Sequence, residues 1–288
     1  MSDAQNIQWF PGHMTKTRRQ IEAQLKIIDA VAEIVDARIP VSSRNPDLAG
    51  IIADKPHLIL LNKCDMADEK ATNEWISYYA SKKIPAIAVD CRSGKGLNNF
   101  KDAVKNLLSD KLRSYAEKGM VGKPLRVMTV GIPNVGKSSF INRIAGNSRA
   151  KVENRPGVTR GNQWFTVDRQ LELLDTPGVL WPKFDDKIVG ERLAFTGAVS
   201  DRVVDVEWLA MRLLELLARD YPEMLKSRYG IDEFDEDSYD LLCRIGKKRG
   251  MVIRGGETDT ERAANMILEE YRNCKIGRIT LERAEENA

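Results

Sequence analysis

Short apolar runs alternate with longer segments of helical spacing over the first part of the chain. Val31–Asp36, the run ending at Asn62, Pro85–Val89, Arg126–Val130 and Leu171–Asp175 read as buried strands. Between them, Ile21, Leu25 and Ile28 recur at helix spacing within 14–28, and Arg44-Asn-Pro-Asp47 opens a short helix through Ile52 with Asp47 in its first turn. Further helices are predicted near 71–82 and from about 97 to 117, where a Gly/Pro-containing join, 118–124, follows. Strands alternating with helices predict a mainly parallel sheet covered on both faces, with ligands at its carboxyl edge. Beyond Pro182 the pattern changes: 188–196, 206–219, 237–248 and 258–271 are amphipathic at helical spacing and strand patterns disappear. The expectation is an α/β domain over 1–183, then a smaller all-helical domain over 184–288 that ends, from 275, in a short strand or frayed tail.

The segment Gly131-Ile-Pro-Asn-Val-Gly-Lys137-Ser138-Ser139 follows one of those strands and opens a helix, the context that G-x-x-x-x-G-K-[ST] requires. Gly131 and Gly136 let the main chain curl so that its N–H groups face a phosphate. Asn134, Val135, Gly136, Lys137, Ser138 and Ser139 would form the cradle, with Lys137 reaching the β/γ-phosphates, Ser138 holding Mg²⁺ and the helix N-terminus adding its dipole. The run ending in Asn62-Lys63-Cys-Asp65 is N-K-x-D. Asp65 can accept two hydrogen bonds from the N1–H and 2-amino edge of guanine, which adenine cannot offer, and Asn62 and Lys63 would pack on the ring and brace the phosphate loop. A site built to pair those donors rejects the wrong base strongly. Asp175-Thr-Pro-Gly178 is D-x-x-G: Asp175 would reach Mg²⁺ through water and the Gly178 N–H would touch the γ-phosphate. Upstream, Thr159 can supply a second hydroxyl to the metal. D-x-x-G alone is weak, but the four elements together are specific.

In the usual GTPase arrangement the phosphate loop comes first and N-K-x-D last. Here the order is 62–65, 131–139, 159, 175–178, so the domain is circularly permuted, which a compact domain tolerates when its termini are joined and reopened in a surface loop. The chain resembles the circularly permuted ribosome-assembly GTPases, and most closely the ribosome biogenesis GTPase A family of bacteria. The likeness extends to Gln8-Trp-Phe-Pro-Gly-His13-Met14, to Val35-Asp-Ala-Arg-Ile-Pro-Val-Ser-Ser-Arg-Asn-Pro46, to Asp175 through Lys183 and to the C-terminal region, nearly the whole chain. The fold this implies is a circularly permuted P-loop GTPase domain followed by a helical domain that binds the ribosome.

Composition sets outer bounds. At 288 residues with 42% apolar content the chain can build two domains with sizeable cores. Its cysteines, Cys64, Cys91, Cys243 and Cys274, form no C-x-x-C, which argues against a structural zinc or a disulfide framework and for a reduced, cytoplasmic setting. No basic-then-apolar leader opens the sequence and no apolar run approaches the roughly 18 residues of a membrane span. The net charge of +3 does not by itself call for a nucleic-acid partner. Its distribution is uneven: residues 201–288 hold 15 Lys/Arg against 20 Asp/Glu, so the positive excess lies on the nucleotide domain.

Many GTPases place a glutamine after D-x-x-G to orient the attacking water. Val179 stands there, and its isopropyl group can form no hydrogen bond. Of the two histidines, His57 begins a strand at the sheet edge opposite the nucleotide, whereas His13 follows a Trp-Phe-Pro-Gly loop and could swing in. The resemblance points the same way, so His13 and Lys137 are the catalytic candidates; the plain alternative for His13 is a helix cap. Asn134 matches the position that holds a potassium ion in potassium-dependent relatives, or it is a turn residue tolerant of left-handed geometry. The loop 90–96 fits the second base-contacting loop by position, with Cys91 its candidate, though its sequence matches poorly. The partner implied by the resemblance is the precursor of the large ribosomal subunit, its RNA and proteins, bound by a monomer through the helical domain. A reading from another class is a GTP-binding scaffold or signalling protein whose helical domain grips a protein; the acidic sum of residues 201–288 leaves it open.

Overall fold

The computed structural model describes residues 14–52, 54–146, 163–178, 180, 186–234 and 237–287. The first unit is built on β1 (Ala30–Asp36), β2 (His57–Asn62), β3 (Ala86–Val89), β4 (Leu125–Val130), β5 (Gln163–Asp168) and β6 (Leu171–Asp175). These form one sheet in the order β3-β2-β1-β4-β6-β5. All neighbouring pairs are parallel except β5 with β6, a hairpin whose edge strand β5 the sequence pattern missed. β5 is largely solvent-facing, with Trp164 exposed, so it lacks the apolar run that marked the central strands. β1 is buried at every residue, as a strand covered on both faces must be.

Among the described residues, six α-helices of this unit cross over or flank the sheet, α1 (Met14–Leu25), α2 (Pro46–Ile52), α3 (Glu69–Ser81), α4 (Asn98–Leu107), α5 (Ser109–Glu117) and α6 (Lys137–Ile144), all ahead of β5, and a short 3-10 turn spans Ala284–Asn287. The single helix expected over 97–117 is two, broken at Leu108, where φ −107° and ψ 23° turn the chain. The turn keeps Leu108 in the core while α5, which buries no side chain, runs over the surface.

Val31, Glu33 and Val35 share one face of β1 by the alternation of a strand. Along that face Val31 joins Met128, Val130 and Leu174 in a cluster with Ile21, Leu48 and Ile52 of the first two helices, and Val35 joins Ile59, Leu61, Trp75 and Tyr79 in a second. Glu33 lies between the two clusters and is 1% exposed. Its carboxylate is matched by Arg44 Nη2 at 2.8 Å and His57 Nε2 at 3.0 Å, which offsets the cost of burying a charge there. The rings of Phe100 on α4 and Phe140 on α6 meet edge to face at 4.9 Å, fixing the helix that begins at Lys137.

The chain separates into two compact units, one comprising Phe184–Ile279 and the other comprising Gln8–Lys183 together with Thr280–Ala288. The tail is therefore not a frayed end of the helical part. Thr280 and Glu282 are 2% and 1% exposed, and Trp75 Nε1 donates to the Glu282 carbonyl at 3.0 Å within the sheet unit. Periodicity misses such a segment because its order comes from hydrogen bonds to distant residues rather than from its own pattern.

The second unit holds α7 (Lys187–Phe195), α8 (Val206–Asp220), α9 (Pro222–Tyr229), α10 (Ser238–Lys248) and α11 (Thr260–Arg272). Asp186, Asp205 and Asp259 cap α7, α8 and α11 by accepting first-turn N–H groups, and Gly230 ends α9 in a left-handed conformation. Leu209, Leu213, Leu217, Ile245, Ile267 and Leu268 fill the core between the helices. Gly246 lets α10 sit close to α11 and the turn before it, since a Cβ there would lie 3.1 Å from Ala263 Cβ and 2.4 Å from Thr258 Cγ2. No helix among the described residues is long and apolar enough to cross a membrane.

Candidate nucleotide-binding site

The carboxyl ends of β1, β2, β3, β4 and β6 carry the loops that sequence reasoning singled out. After β4 the chain turns at Gly131, φ +152°, where a Cβ would stand 2.5 Å from the Ile34 carbonyl. Asn134 takes φ 62°, and Gly136, φ +98°, is the left-handed residue from which α6 starts. Lys137 folds back over this loop, Nζ lying 3.1 Å from the carbonyls of both Gly131 and Ile132. Burial pushes its ammonium pKa down to about 8 against the pull of the Asp175 carboxylate. Ser138 and Ser139 follow, half-buried in the first turn. D-x-x-G is fastened to the same strand: Thr176 Oγ1 donates to the Thr129 carbonyl at 2.7 Å, and Thr129 Oγ1 to that of Leu174 at 3.0 Å. Gly178 is pressed so close that a Cβ would lie 2.9 Å from Lys137 Nζ and 3.0 Å from the Pro133 nitrogen.

The base-side segment meets this loop directly. Asn62 Nδ2 donates to the Val135 carbonyl at 2.6 Å, and Asn62 Oδ1 accepts the Cys91 N–H at 3.2 Å. Asn62 thus ties the N-K-x-D loop, the phosphate loop and the loop after β3 together. Gly136 must be glycine for the same reason, because a Cβ would sit 2.3 Å from Asn62 Nδ2. In the loop 90–96, Asp90 accepts the N–H groups of Arg92 and Ser93 at 2.7 and 3.1 Å, and Arg143 Nη2 on α6 donates to the Ser93 carbonyl at 2.7 Å. Cys91 is therefore placed beside Asn62 despite the poor sequence match of its loop. Burial, reinforced by the neighbouring Asp90, pushes its thiol up to about 12, so it is neutral.

Lys63 departs from the expectation that it braces the phosphate loop. It adopts φ 61° and gives its ammonium to Asp36 Oδ2 at 2.8 Å. Asp36 also receives Arg38 Nε at 2.9 Å and Nη2 at 2.8 Å. Burial alone would raise the Asp36 carboxyl; the charges of Arg38 and Lys63 outweigh it and hold the group far below the usual carboxylate range. The bond that braces the phosphate loop comes from Asn62 instead. Asp65 is solvent-exposed as a residue, but partial desolvation of its carboxyl, together with the charge of Asp90, raises the pKa of that group.

The structure thus brings together Asn62, Cys91, Val135, Gly136, Lys137, Asp175 and Gly178. His13, Thr159 and Val179 lie outside the described residues. His57 pairs with Glu33 at the start of β2, the opposite edge from the phosphate loop. Sequence reasoning left Asp36 out of the site; the available signal was a charged pair, Asp-Ala-Arg, at the end of an apolar strand.

The donors suit a nucleotide and its metal. The Ser138 hydroxyl and the Asp175 carboxylate are hard oxygen groups of the kind that bind Mg²⁺ with phosphate and water completing the shell. The curled loop turns its main chain, and a lysine held against it, toward one point at a helix N-terminus.

A family model described as 50S ribosome-binding GTPase matches residues 126–248, starting at β4 and leaving the base-side segment outside and ahead of it. The chain is 49% identical over 278 residues to ribosome biogenesis GTPase A of Priestia megaterium, covering 96% of each protein. It is 46% identical over 280 residues to that of Bacillus cereus, covering 97% of this chain and 95% of the relative. A crystal structure of GNP-bound YlqF from T. maritima superposes with a TM-score of 0.67 at 28% identity, covering 94% of this chain and 99% of that one.

A phosphate loop locked to an N-K-x-D strand end that precedes it in sequence defines a circularly permuted P-loop GTPase, an enzyme that hydrolyses GTP to GDP and phosphate. With relatives this similar along nearly its entire length, the chain belongs to the ribosome biogenesis GTPase A family and is a ribosome-assembly GTPase.

Proposed function

We propose that this GTPase binds the precursor of the large ribosomal subunit and couples GTP hydrolysis to a late step of its assembly, acting in the cytoplasm as a monomer. The observation that supports it most is the bond from Asn62 to the Val135 carbonyl, which makes the base-reading and phosphate-holding loops one object. The names of the relatives, ribosome biogenesis GTPase A, supply the assembly context.

In this reading Asp65 accepts the N1–H and 2-amino groups of guanine, with the ring against the stem of Lys63 and the loop of Cys91. The N–H groups of the loop from Asn134 to Ser139 and the ammonium of Lys137 take the phosphates, and Gly178 N–H meets the γ-phosphate. Mg²⁺, when bound, neutralises charge on the β- and γ-phosphates; Ser138 and Thr159 would hold it directly and Asp175 through water. Asn134 would carry a potassium ion alongside, so hydrolysis in KCl should exceed that in NaCl. With Val179 after D-x-x-G, water orientation falls to His13. His13→Ala should then spare GTP affinity and remove most turnover, whereas unchanged turnover rules His13 out.

D-x-x-G leads directly through 179–183 into the helical unit, and γ-phosphate contacts order such segments until hydrolysis releases them. The nucleotide state would in this way be passed to the domain that meets the ribosomal particle. Cosedimentation with large-subunit particles in GTP, GDP or a non-hydrolysable analogue tests this. Nucleotide-dependent binding, weakened by salt, together with particle-stimulated hydrolysis is expected. Binding indifferent to nucleotide, with no stimulation, would leave the GTP-binding scaffold reading in its place.

A further inference from the structure

The tail beyond α11 grips both flanks of the N-K-x-D loop. On the upstream flank, the Glu282 carboxylate accepts the N–H groups of Val41 and Ser42 and the Ser42 hydroxyl, and the Leu281 N–H donates to the Arg38 carbonyl at 2.8 Å. The turn it holds carries Ser43, whose Oγ accepts the Asp36 N–H at 3.0 Å and donates to the Ile39 carbonyl at 2.7 Å. Asp36 in turn holds Lys63. On the downstream flank, Thr280 Oγ1 accepts the N–H of Asp68, three residues after Asp65 and the cap of α3, at 3.0 Å. Turning a buried carboxylate onto the N–H groups of a turn and a hydroxyl is an expensive way to anchor a chain end. What lies between its two anchor points is the segment that reads the base.

We propose that residues 280–282 are a clasp that positions the guanine-reading loop, with Glu282 its principal positioning residue and Asp36 the relay to Lys63. The inference rests on the assignment of Asp65 to guanine. Opening the clasp frees the turn 39–43 and Asp68 at once, so Lys63 and Asp65 lose their fixed spacing while the phosphate loop, held by Asn62, is untouched. Base recognition should suffer more than phosphate binding. The tail is covalently continuous with the helical unit through Ile279, so the clasp is a second connection between that unit and the nucleotide, at the base end rather than the phosphate end.

The test uses the full chain with Glu282→Ala, Glu282→Gln and Thr280→Val, measuring affinity and release of a fluorescent N-methylanthraniloyl-GDP and the ratio of GDP to IDP affinity. IDP lacks the 2-amino group and reports the second bond to Asp65. Glu282→Ala should weaken the guanine nucleotide by about tenfold, the scale of a lost hydrogen bond to a charged group, mainly through faster release. It should also pull the GDP/IDP ratio toward one. Glu282→Gln, which keeps one acceptor oxygen, should recover part of both. Val104→Ala, a cavity in α4 away from the clasp, should lower the melting temperature without moving the ratio. If Glu282→Ala does not fold, Glu282→Gln and Thr280→Val should show the same two changes in smaller measure. Affinity and ratio equal to those of the unaltered chain in the folded variants overturn the clasp. Asp65→Asn in the same assay separates the two ideas: if it keeps its preference for guanine the assignment of Asp65 fails, and if it loses that preference while the tail variants keep theirs, the clasp alone fails.

Discussion

Asn62 and Val135, 73 residues apart in sequence, are joined by a hydrogen bond of 2.6 Å from Nδ2 to the carbonyl. Both sit at the carboxyl edge of the sheet, one as the last residue of β2 and the other in the loop after β4, with β1 between those strands. The bond is buried, so its loss leaves the Val135 carbonyl and the Cys91 N–H without their partner. Asn62→Ala should therefore cost about 1–3 kcal/mol of stability in urea unfolding and weaken GDP at the same time. Asn62→Asp, which faces one carbonyl with another oxygen, should be worse.

Gly136 meets the same side chain from the other direction. A methyl there would stand 2.3 Å from Asn62 Nδ2, on a backbone at φ +98° that L-residues avoid. Gly136→Ala should leave a folded protein, by circular dichroism, whose GDP affinity is lower by about ten- to a hundredfold, the equivalent of 1–3 kcal/mol of strain.

The ion cluster in the core predicts a pH dependence. Burial would raise the Glu33 carboxyl, but the hydrogen bond with His57 and the charge of Arg44 hold it below its usual value. A carboxyl depressed in the folded state stabilises above the unfolded pKa and loses that contribution as pH falls through the folded one. Glu33→Gln should lower stability by about 3 kcal/mol at pH 7, because Arg44 stays partly buried without its counter-charge. The gap between the two proteins should close progressively below pH 4.5. Urea titrations at pH 7, 5 and 3.5 check this.

In the helical unit, Arg272 gathers the end of α7. Its Nε and Nη2 donate to the carbonyls of Phe195 and Ala194 at 3.0 and 2.8 Å, and Nη1 and Nη2 grip Asp201 at 2.7 and 2.6 Å. Arg272→Ala should destabilise this unit by about 3 kcal/mol, and Arg272→Lys should recover little, because an ammonium cannot reproduce the planar fork. Thermal unfolding of the three proteins provides the comparison.

The central strands, the crossover helices and the permuted motif order were legible because each is written locally. Buried parallel strands are continuous apolar runs, and the phosphate loop needs its glycines and lysine in fixed succession. Three features escaped for a common reason. β5 is a half-exposed edge strand with no apolar run, α9 begins at Pro222 after too short an interval to show a period, and the tail is ordered by partners some 240 residues away. The site divides along the same line. Gly136, Lys137 and Asn62 follow from their motifs, whereas the hold of Asp36 on Lys63 depends on the packing of β1 beside β2, which no single stretch records.

The central claim is that segments scattered from Asn62 to Gly178 form one guanine-nucleotide site. Isothermal titration of GDP, ADP and XDP into the unaltered chain and Asp65→Asn tests it most directly. The expected result is binding of GDP without measurable binding of ADP, and in Asp65→Asn a loss of GDP with a gain of XDP. Equal affinity for GDP and ADP in the unaltered chain, or an Asp65→Asn protein that still prefers GDP, would contradict it.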